Sequence, residues 1–519
     1  MQQSAANCRN PIRMLAIICV MFLGACATVD FDAPKEEGFA LQDTADTALG
    51  RRVAQNAANR PQGESGFYFL FDGVRALAAR IAMANSAERS IDAQYYLITN
   101  DQIGLAFVRE LLKAADRGVR VRLLLDDIQT KGYDVGMAAL DSHPNMEIRI
   151  FNPWTSRSAR FLDVFDFNRV NRRMHNKSFT ADNQVTIVGG RNIADEYFSA
   201  REDVNFGDAD VLGIGPVVND VSTMFDEYWN SKYAAPVEVF AKMPKDPAAA
   251  LVELRERLEA NVEKIKQTTY GETLIADITD YLQEGSVAID WAPYQLVYDS
   301  PDKANKKLAA DAKNITTELG AVVEKAEREL IIVSPYFVPR KRGLEYFQGL
   351  IDRGLHIKVI TNSLAANNHG IVHSGYMGSR KALLEMGVEL HEMRVTAEVA
   401  GVERGGSGAE LATLHTKAFM VDRQDIFFGS FNWDPRSANI NTELGVVIES
   451  PELGAMIGER VDEGLAERTY QVILNDKGKI RWLDESGEEP VILDKEPDTT
   501  WWRRTKAQMG RILPVRGQL

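Results

Sequence analysis

His175-Asn176-Lys177-Ser178-Phe179-Thr180-Ala181-Asp182 and His415-Thr416-Lys417-Ala418-Phe419-Met420-Val421-Asp422 lie 240 residues apart and carry His, Lys, Phe and Asp at the same places. The alternation across His-x-Lys-x-Phe predicts a strand, on which His and Lys two residues apart project from one face. A titratable base and a cation then address the same spot. Each copy is followed by a small pair and an amide, Gly189-Gly190 with Asn192 and Gly429-Ser430 with Asn432. The small pair leaves room for an anionic oxygen near the backbone, and the amide supplies donors. That set suits a phosphate. A single His-x-Lys reads as a surface pair; two matched copies with matched followers read as one composite catalytic site. Asp182 and Asp422 precede Asn183-Gln184 and Arg423-Gln424, so turn formation accounts for them as supporting residues.

The duplication extends outward from the motifs. Residues 91–96 read as a strand, 105–116 as a helix, Arg117-Gly118 as a turn and 119–125 as a second strand. The same order returns at 330–336, 344–352, Arg353-Gly354 and 355–360, with Tyr96 matching Tyr336. A strand–helix–strand unit points to a parallel α/β sheet, and a repeat of this length is a duplicated domain. The expected domains are 67–240 and 301–470. Between them lies a connector, 241–300, with a helix over Pro247 to Lys266; a tail, 471–519, follows.

At the N-terminus, Arg9 and Arg13 precede an uncharged run, 14–29, too short for a comfortable membrane span of ~20 residues. Leu23-Gly24-Ala25-Cys26 within it resembles a lipobox, which implies a leader over 1–25, acylation of Cys26, and export to a bacterial membrane at the periplasmic face or the outer membrane. Cys8, Cys19 and Cys26 are the only cysteines, so the mature body is expected to hold neither a disulfide nor a thiolate metal site. Residues 26–66 are polar and read as a tether. A net charge of −14 disfavours nucleic acid as partner.

The signature His-x-Lys-x4-Asp, present twice, resembles that of the phospholipase D superfamily. Arg172-Arg173-Met174-His175-Asn176-Lys177, residues 361–367, residues 429–437 and Asn441-Thr442-Glu443-Leu444-Gly445 resemble its cardiolipin synthase C branch. The resemblance implies an α/β fold: two tandem α/β/α domains related by pseudo-two-fold symmetry around one shared active site. It implies a phosphatidyltransferase, with a phospholipase D-type hydrolase or a nuclease as alternatives. One histidine, His175 by resemblance, forms a phosphohistidine while the other, His415, acts as acid; the sequence's own symmetry leaves the order open. Lys177, Lys417, Asn192 and Asn432 would hold the phosphate oxygens. An acidic residue orients each histidine: Glu443 fits in the second half and Asp208 or Asp210 in the first. Asp208 is preferred because Asp208-x-x-Val211 parallels Glu443-x-x-Val446.

His369 and His373 have the i, i+4 spacing of helical metal ligands but lack an evident third ligand, so neither metal nor cofactor is expected. The segment 154–173 mixes Trp154, Phe161, Phe165 and Phe167 with Arg157, Arg160, Arg169, Arg172 and Arg173. Trp501-Trp502-Arg503-Arg504 opens a C-terminal stretch without acidic side chains. Both are candidate surfaces for phospholipid headgroups and the membrane.

Overall fold

Gly118 and Gly354 take φ +92°, where a side chain would be strained, and stop the helices Gln102–Asp116 and Arg340–Asp352 so that each chain turns back into the next strand. These two units form the centres of two sheets in the computed structural model. It describes residues 29–510 apart from 32, 156, 158–159, 202, 242, 284–287, 306–308, 310, 368–369 and 396–410.

The first half contributes β1 (Ser65–Leu70), β2 (Ser90–Tyr95), β3 (Arg120–Asp126), β4 (Met146–Phe151), β5 (Ser178–Ala181), β6 (Val185–Gly189), β7 (Val204–Gly207), β8 (Asp210–Ile214), β9 (Ala234–Pro236) and β10 (Asp290–Ala292). The second contributes β11 (Tyr294–Tyr298), β12 (Glu329–Val333), β13 (His356–Asn362), β14 (Glu389–Met393), β15 (Leu411–Leu414), β16 (Ala418–Val421), β17 (Asp425–Gly429), β18 (Leu444–Glu449), β19 (Thr469–Leu474), β20 (Ile480–Asp484) and β21 (Val491–Leu493).

The orders β1-β8-β6-β5-β2-β3-β4-β9 and β11-β18-β17-β16-β12-β13-β14-β19 match strand for strand. Parallel pairing within them is confined to β2-β3-β4 and β12-β13-β14. Each sheet is therefore mixed, not parallel throughout, because the hairpin after each motif returns antiparallel beside the central unit.

Alternating side chains divide the core into three. Ile91, Leu123, Phe179 and Ile187 pack on the outer face of the first sheet, and Ile332, Val359, Phe419 and Phe427 on that of the second. Leu124, Met174, Val188, Ile360, Met420 and Phe428 belong to one cluster shared by both halves. Phe69 meets Phe428 across this interface at 5.2 Å between ring centroids.

Three boundary expectations are corrected. Within the polar stretch 26–66, the described part from Gly38 to Ala57 is docked rather than a free tether: a helix, Ala48–Ala57, is capped by Thr47 and puts Leu49 into the first core, and the amides of Gly38 and Ala40 donate to Asn230 and Asp226. One buried leucine and long-range caps suffice to dock it, and neither produces a visible apolar period. In the expected connector, the helices Pro247–Lys266 and Thr269–Gln283 pack on the first half, and the chain crosses between the sheets only from β10, paired with β1, to β11, paired with β18. The expected tail begins inside β19, and β20 and β21 widen the second sheet.

Cys26 and the leader lie outside the described residues. Among those described, no helix is long and apolar enough to cross a membrane.

Candidate active site

His175–Lys177 and His415–Lys417 are not inside strands; each triplet is the extended lead-in to β5 or β16. Backbone bonds between the halves hold them. The His175 amide donates to Thr442 O at 2.9 Å, and the Thr442 amide to Arg173 O at 3.0 Å. On the other side of the pseudo-axis, β15 runs parallel to β7, and the His415 amide donates to Gly207 O at 2.7 Å. Each histidine is thus clamped beside the residue that precedes an acid of the opposite half, Thr442-Glu443 or Gly207-Asp208.

The result is a crossed pair of histidine–carboxylate contacts. Nδ1 of His175 is 2.7 Å from Glu443 Oε2, and Nδ1 of His415 is 2.5 Å from Asp208 Oδ2. Asp210, the alternative, is instead bound by Arg80 at 2.8 Å and Arg191 at 3.3 Å. With Nδ1 engaged, Nε2 is the nitrogen each ring can offer to a substrate. Ser430 donates to Glu443 at 2.5 Å and fixes that carboxylate. Lys177 Nζ donates to His175 O at 2.5 Å, and Lys417 Nζ lies 2.6 Å from His415 Nδ1 and 3.1 Å from its Nε2.

Burial dominates the electrostatics. It lowers His175 to about 4, with Glu443 opposing and Lys177 adding to the effect; burial and then Lys417 lower His415 to about 3 against Asp208. Burial brings Lys177 down to about 7 and Lys417 to about 8, with the two acids opposing. For Asp208 burial acts upward, but the charge of Lys417, together with the contact to His415, overcomes it and holds the carboxylate ionised. Glu443 is likewise held below its ordinary value, against its own burial, by His175 and Lys177. Near neutrality both imidazoles are neutral, with both carboxylates charged beside them.

The amides sit deep in the site. Asn192 Nδ2 donates to Tyr197 Oη at 2.9 Å, while Oδ1 of Asn192 and Oδ1 of Asn432 are buried without a partner. Turning either amide would face its donors to an anion. The small pairs also make room within the fold. A Cβ on Gly189 would sit 2.1 Å from Asp210 Oδ1, one on Gly190 2.2 Å from Asp208 Oδ1, and one on Gly429 2.4 Å from Leu444 O. They admit the neighbouring chain, with Asp210 and Asp208 in the first half and the Leu444 backbone in the second.

Asp182 and Asp422, at φ +51° and +52°, stand in the turns after β5 and β16. Asp182 accepts the amides of Glu88, Arg89 and Ser90; Asp422 accepts those of Glu327, Arg328 and Glu329 at 2.8 Å each. They bind the motif hairpin to the start of the central strand.

Three aromatic residues that sequence reasoning did not assign to the site enclose the rings. Tyr96 meets His175 edge-on at 5.0 Å, Tyr197 meets His415 edge-on at 5.0 Å, and Phe206 stacks on His415 at 5.2 Å. Only Tyr96 had a signal, its match to Tyr336.

The arginines of the 154–173 segment are not offered to headgroups. Arg157 and Arg160 pair with Asp127, Arg169 with Asp166 and Arg173 with Asp126; Arg172 donates to Lys303 O and Asn439 O. Phe161 remains 75% exposed. His373 is buried against Arg380 at 2.7 Å, within the core; His369 lies outside the described residues. No cluster of three or more His, Cys, Asp or Glu suited to a metal occurs among the described residues.

The family model described as "Cardiolipin synthase, PLD-like domain" matches residues 81–229 and 319–463, one span in each half. Cardiolipin synthase C of Escherichia coli (strain K12) is 40% identical over 456 residues, covering 87% of this chain and 96% of that protein. A cardiolipin synthase of Staphylococcus aureus (strain Mu50) is 21% identical, covering 76% of this chain and 66% of that protein. Among solved structures, phosphatidylserine synthase of Haemophilus influenzae Rd KW20 superposes with a TM-score of 0.56 at 15% identity, covering 91% of this chain and all of that one.

Proposed function

The chain belongs to the cardiolipin synthase, PLD-like domain family, and from that premise we propose that it is a phosphatidyltransferase that joins two phospholipids into cardiolipin through a phosphohistidine intermediate. The observation that carries the reading is the crossed arrangement, in which each histidine is oriented by an acid from the other half. Only the assembled pair of halves has a complete site.

His175 Nε2, made nucleophilic by the Nδ1–H bond to Glu443, attacks phosphorus of the donor phospholipid. The P–O bond to the headgroup breaks, and the departing alkoxide takes a proton from His415 Nε2. The acceptor's hydroxyl then returns a proton to His415, its oxygen bonds to phosphorus, and the P–N bond to His175 breaks. Lys177, Lys417, Asn192 and Asn432 meet the non-bridging oxygens as charge develops on them. His415, neutral in the empty site, gains its proton when the phosphodiester's negative charge offsets the two lysines. Burial of both rings keeps water scarce and favours an alcohol acceptor.

The proposed setting is the periplasmic face of a bacterial membrane, including the outer membrane, reached by export and held through acylated Cys26. The helix Trp501–Gly510 supports a membrane-facing role, with Trp501, Trp502 and Met509 each more than 60% exposed and Arg503, Arg504 and Lys506 among them. The test is incubation of the purified protein with phosphatidylglycerol vesicles, with and without phosphatidylethanolamine, followed by separation of the lipids. Cardiolipin is expected; phosphatidic acid alone would replace transfer by hydrolysis.

A further inference from the structure

The pseudo-symmetry is broken in the helices that follow β8 and β18. At the offset of 235 that relates Asp208 to Glu443 and Pro216 to Pro451, Phe225 corresponds to Arg460 and Trp229 to Gly464. In the first half, the helix Pro216–Asn230 fills its face of the sheet. Phe225 and Trp229 stack at 5.7 Å, and the Arg149 guanidinium covers Trp229 at 4.3 Å. In the second half, the helix Pro451–Arg468 leaves a cavity of about 180 Å3 at the equivalent position.

The helix turns a stripe of Ile457, Val461 and Leu465 to this cavity, at the i, i+4, i+8 spacing of one helical face, with the half-exposed Met456 beside it, and Phe71, Ile360, Met393 and Phe428 line the rest. Leu414, Thr416 and Ala418 also line it, so it lies directly behind the segment whose alternate residues are His415 and Lys417. Among the described residues, Arg460 and Arg468 are its only basic lining groups. The volume exceeds the ~150 Å3 that admits a benzene-sized apolar guest.

We propose that this cavity seats an acyl chain of the acceptor phospholipid, with Arg460 and Arg468 meeting that lipid's own, unreacting phosphate. The inference rests on the transfer reading and adds where the second lipid binds. Lys177 and Lys417 serve the reacting phosphate, so a second cationic pair beside an apolar cavity calls for a second phosphate attached to a hydrocarbon chain. A diacyl acceptor carries both. Each methylene withdrawn from water favours binding about fourfold, which gives a lipid acceptor its advantage over water or a free alcohol.

Gly464→Trp restores the first half's residue and closes the cavity. A Cβ at Gly464 meets nothing nearer than the flexible Arg468 side chain at 3.4 Å, so a side chain can start there without a backbone clash. The share of phosphatidyl groups passed to lipid relative to water is expected to fall at least tenfold, and Arg460→Ala with Arg468→Ala to raise the KM for phosphatidylglycerol as acceptor. Transfer and hydrolysis falling in proportion, or neither changing, would overturn the proposal.

Labelling with phosphatidylglycerol that carries a diazirine in one acyl chain, on inactive His415→Ala protein, reads the site without turnover. Cross-links on the helix Pro451–Arg468 that Gly464→Trp abolishes are expected; their absence overturns the cavity's role whatever the activity. If the cross-links form but wild-type protein makes no cardiolipin, the chain site stands and the transfer reading falls.

Discussion

Asp208→Asn is the sharpest perturbation of the crossed arrangement. It preserves the volume of a side chain that is 1% exposed and removes the negative charge 2.5 Å from His415 Nδ1. The carboxylate accepts the Nδ1–H and so keeps Nε2 free for the proton in flight. An asparagine that turns its NH2 toward Nδ1 would instead select the opposite tautomer. Losing the orienting acid of a buried imidazole costs on the order of 10⁴ in kcat in the serine protease triad, about 5 kcal/mol at 1.36 kcal/mol per decade; here a loss of about 10³ to 10⁴ is expected.

The pH profile gives a second, independent reading. Asp208 is the largest charge opposing the burial of Lys417, which sits at about 8. Removing it lowers that value further, so Lys417 loses its proton at lower pH and the alkaline limb of activity moves down. The assay is kcat and KM for labelled phosphatidylglycerol in vesicles from pH 5 to 9, with thermal unfolding as the check on folding. A folded variant with less than a tenfold loss in kcat, or a loss confined to KM, would refute the role given to Asp208.

Gly190→Ala lies outside the motifs, yet its Cβ would press within 2.2 Å of Asp208 Oδ1; a loss of about 10² in kcat with a small change in melting temperature is expected. Lys177, at about 7 in the fold against 10.5 free, binds fewer protons folded than unfolded between those values, so its contribution to stability rises with pH through that window. Chemical denaturation at pH 7 and 9 should show a steeper gain for wild type than for Lys177→Met. Asp182→Ala strands three backbone donors and should cost about 3 kcal/mol, while activity per folded molecule stays within about threefold. Asp422, partly exposed, should cost less.

What the sequence revealed was local and repeated: the paired motifs, the helix over Pro247–Lys266, the strand–helix–strand units and the Asp208 parallel. What it hid was relational. That Asp208 serves His415 and Glu443 serves His175 follows from inter-half bridges at Met174–Thr442 and β7–β15, which leave no mark in periodicity or spacing. The close neighbours of the small pairs were hidden too, because a glycine beside a motif gives no sign in the sequence of what packs on it: Asp210 and Asp208 for Gly189 and Gly190, the Leu444 backbone for Gly429. The docked segment before β1 looked like a tether because side-chain caps, not an apolar stripe, hold most of it.

The most direct measurement uses His415→Ala with a phosphatidyl ester of p-nitrophenol. That leaving group needs no acid to depart, whereas the second step still needs a base, so the intermediate should accumulate. The account predicts a burst of one p-nitrophenol per protein, with the phosphatidyl group found on His175 by mass spectrometry, and no burst in His175→Ala. An adduct on any other residue, or full turnover without an adduct, would contradict it.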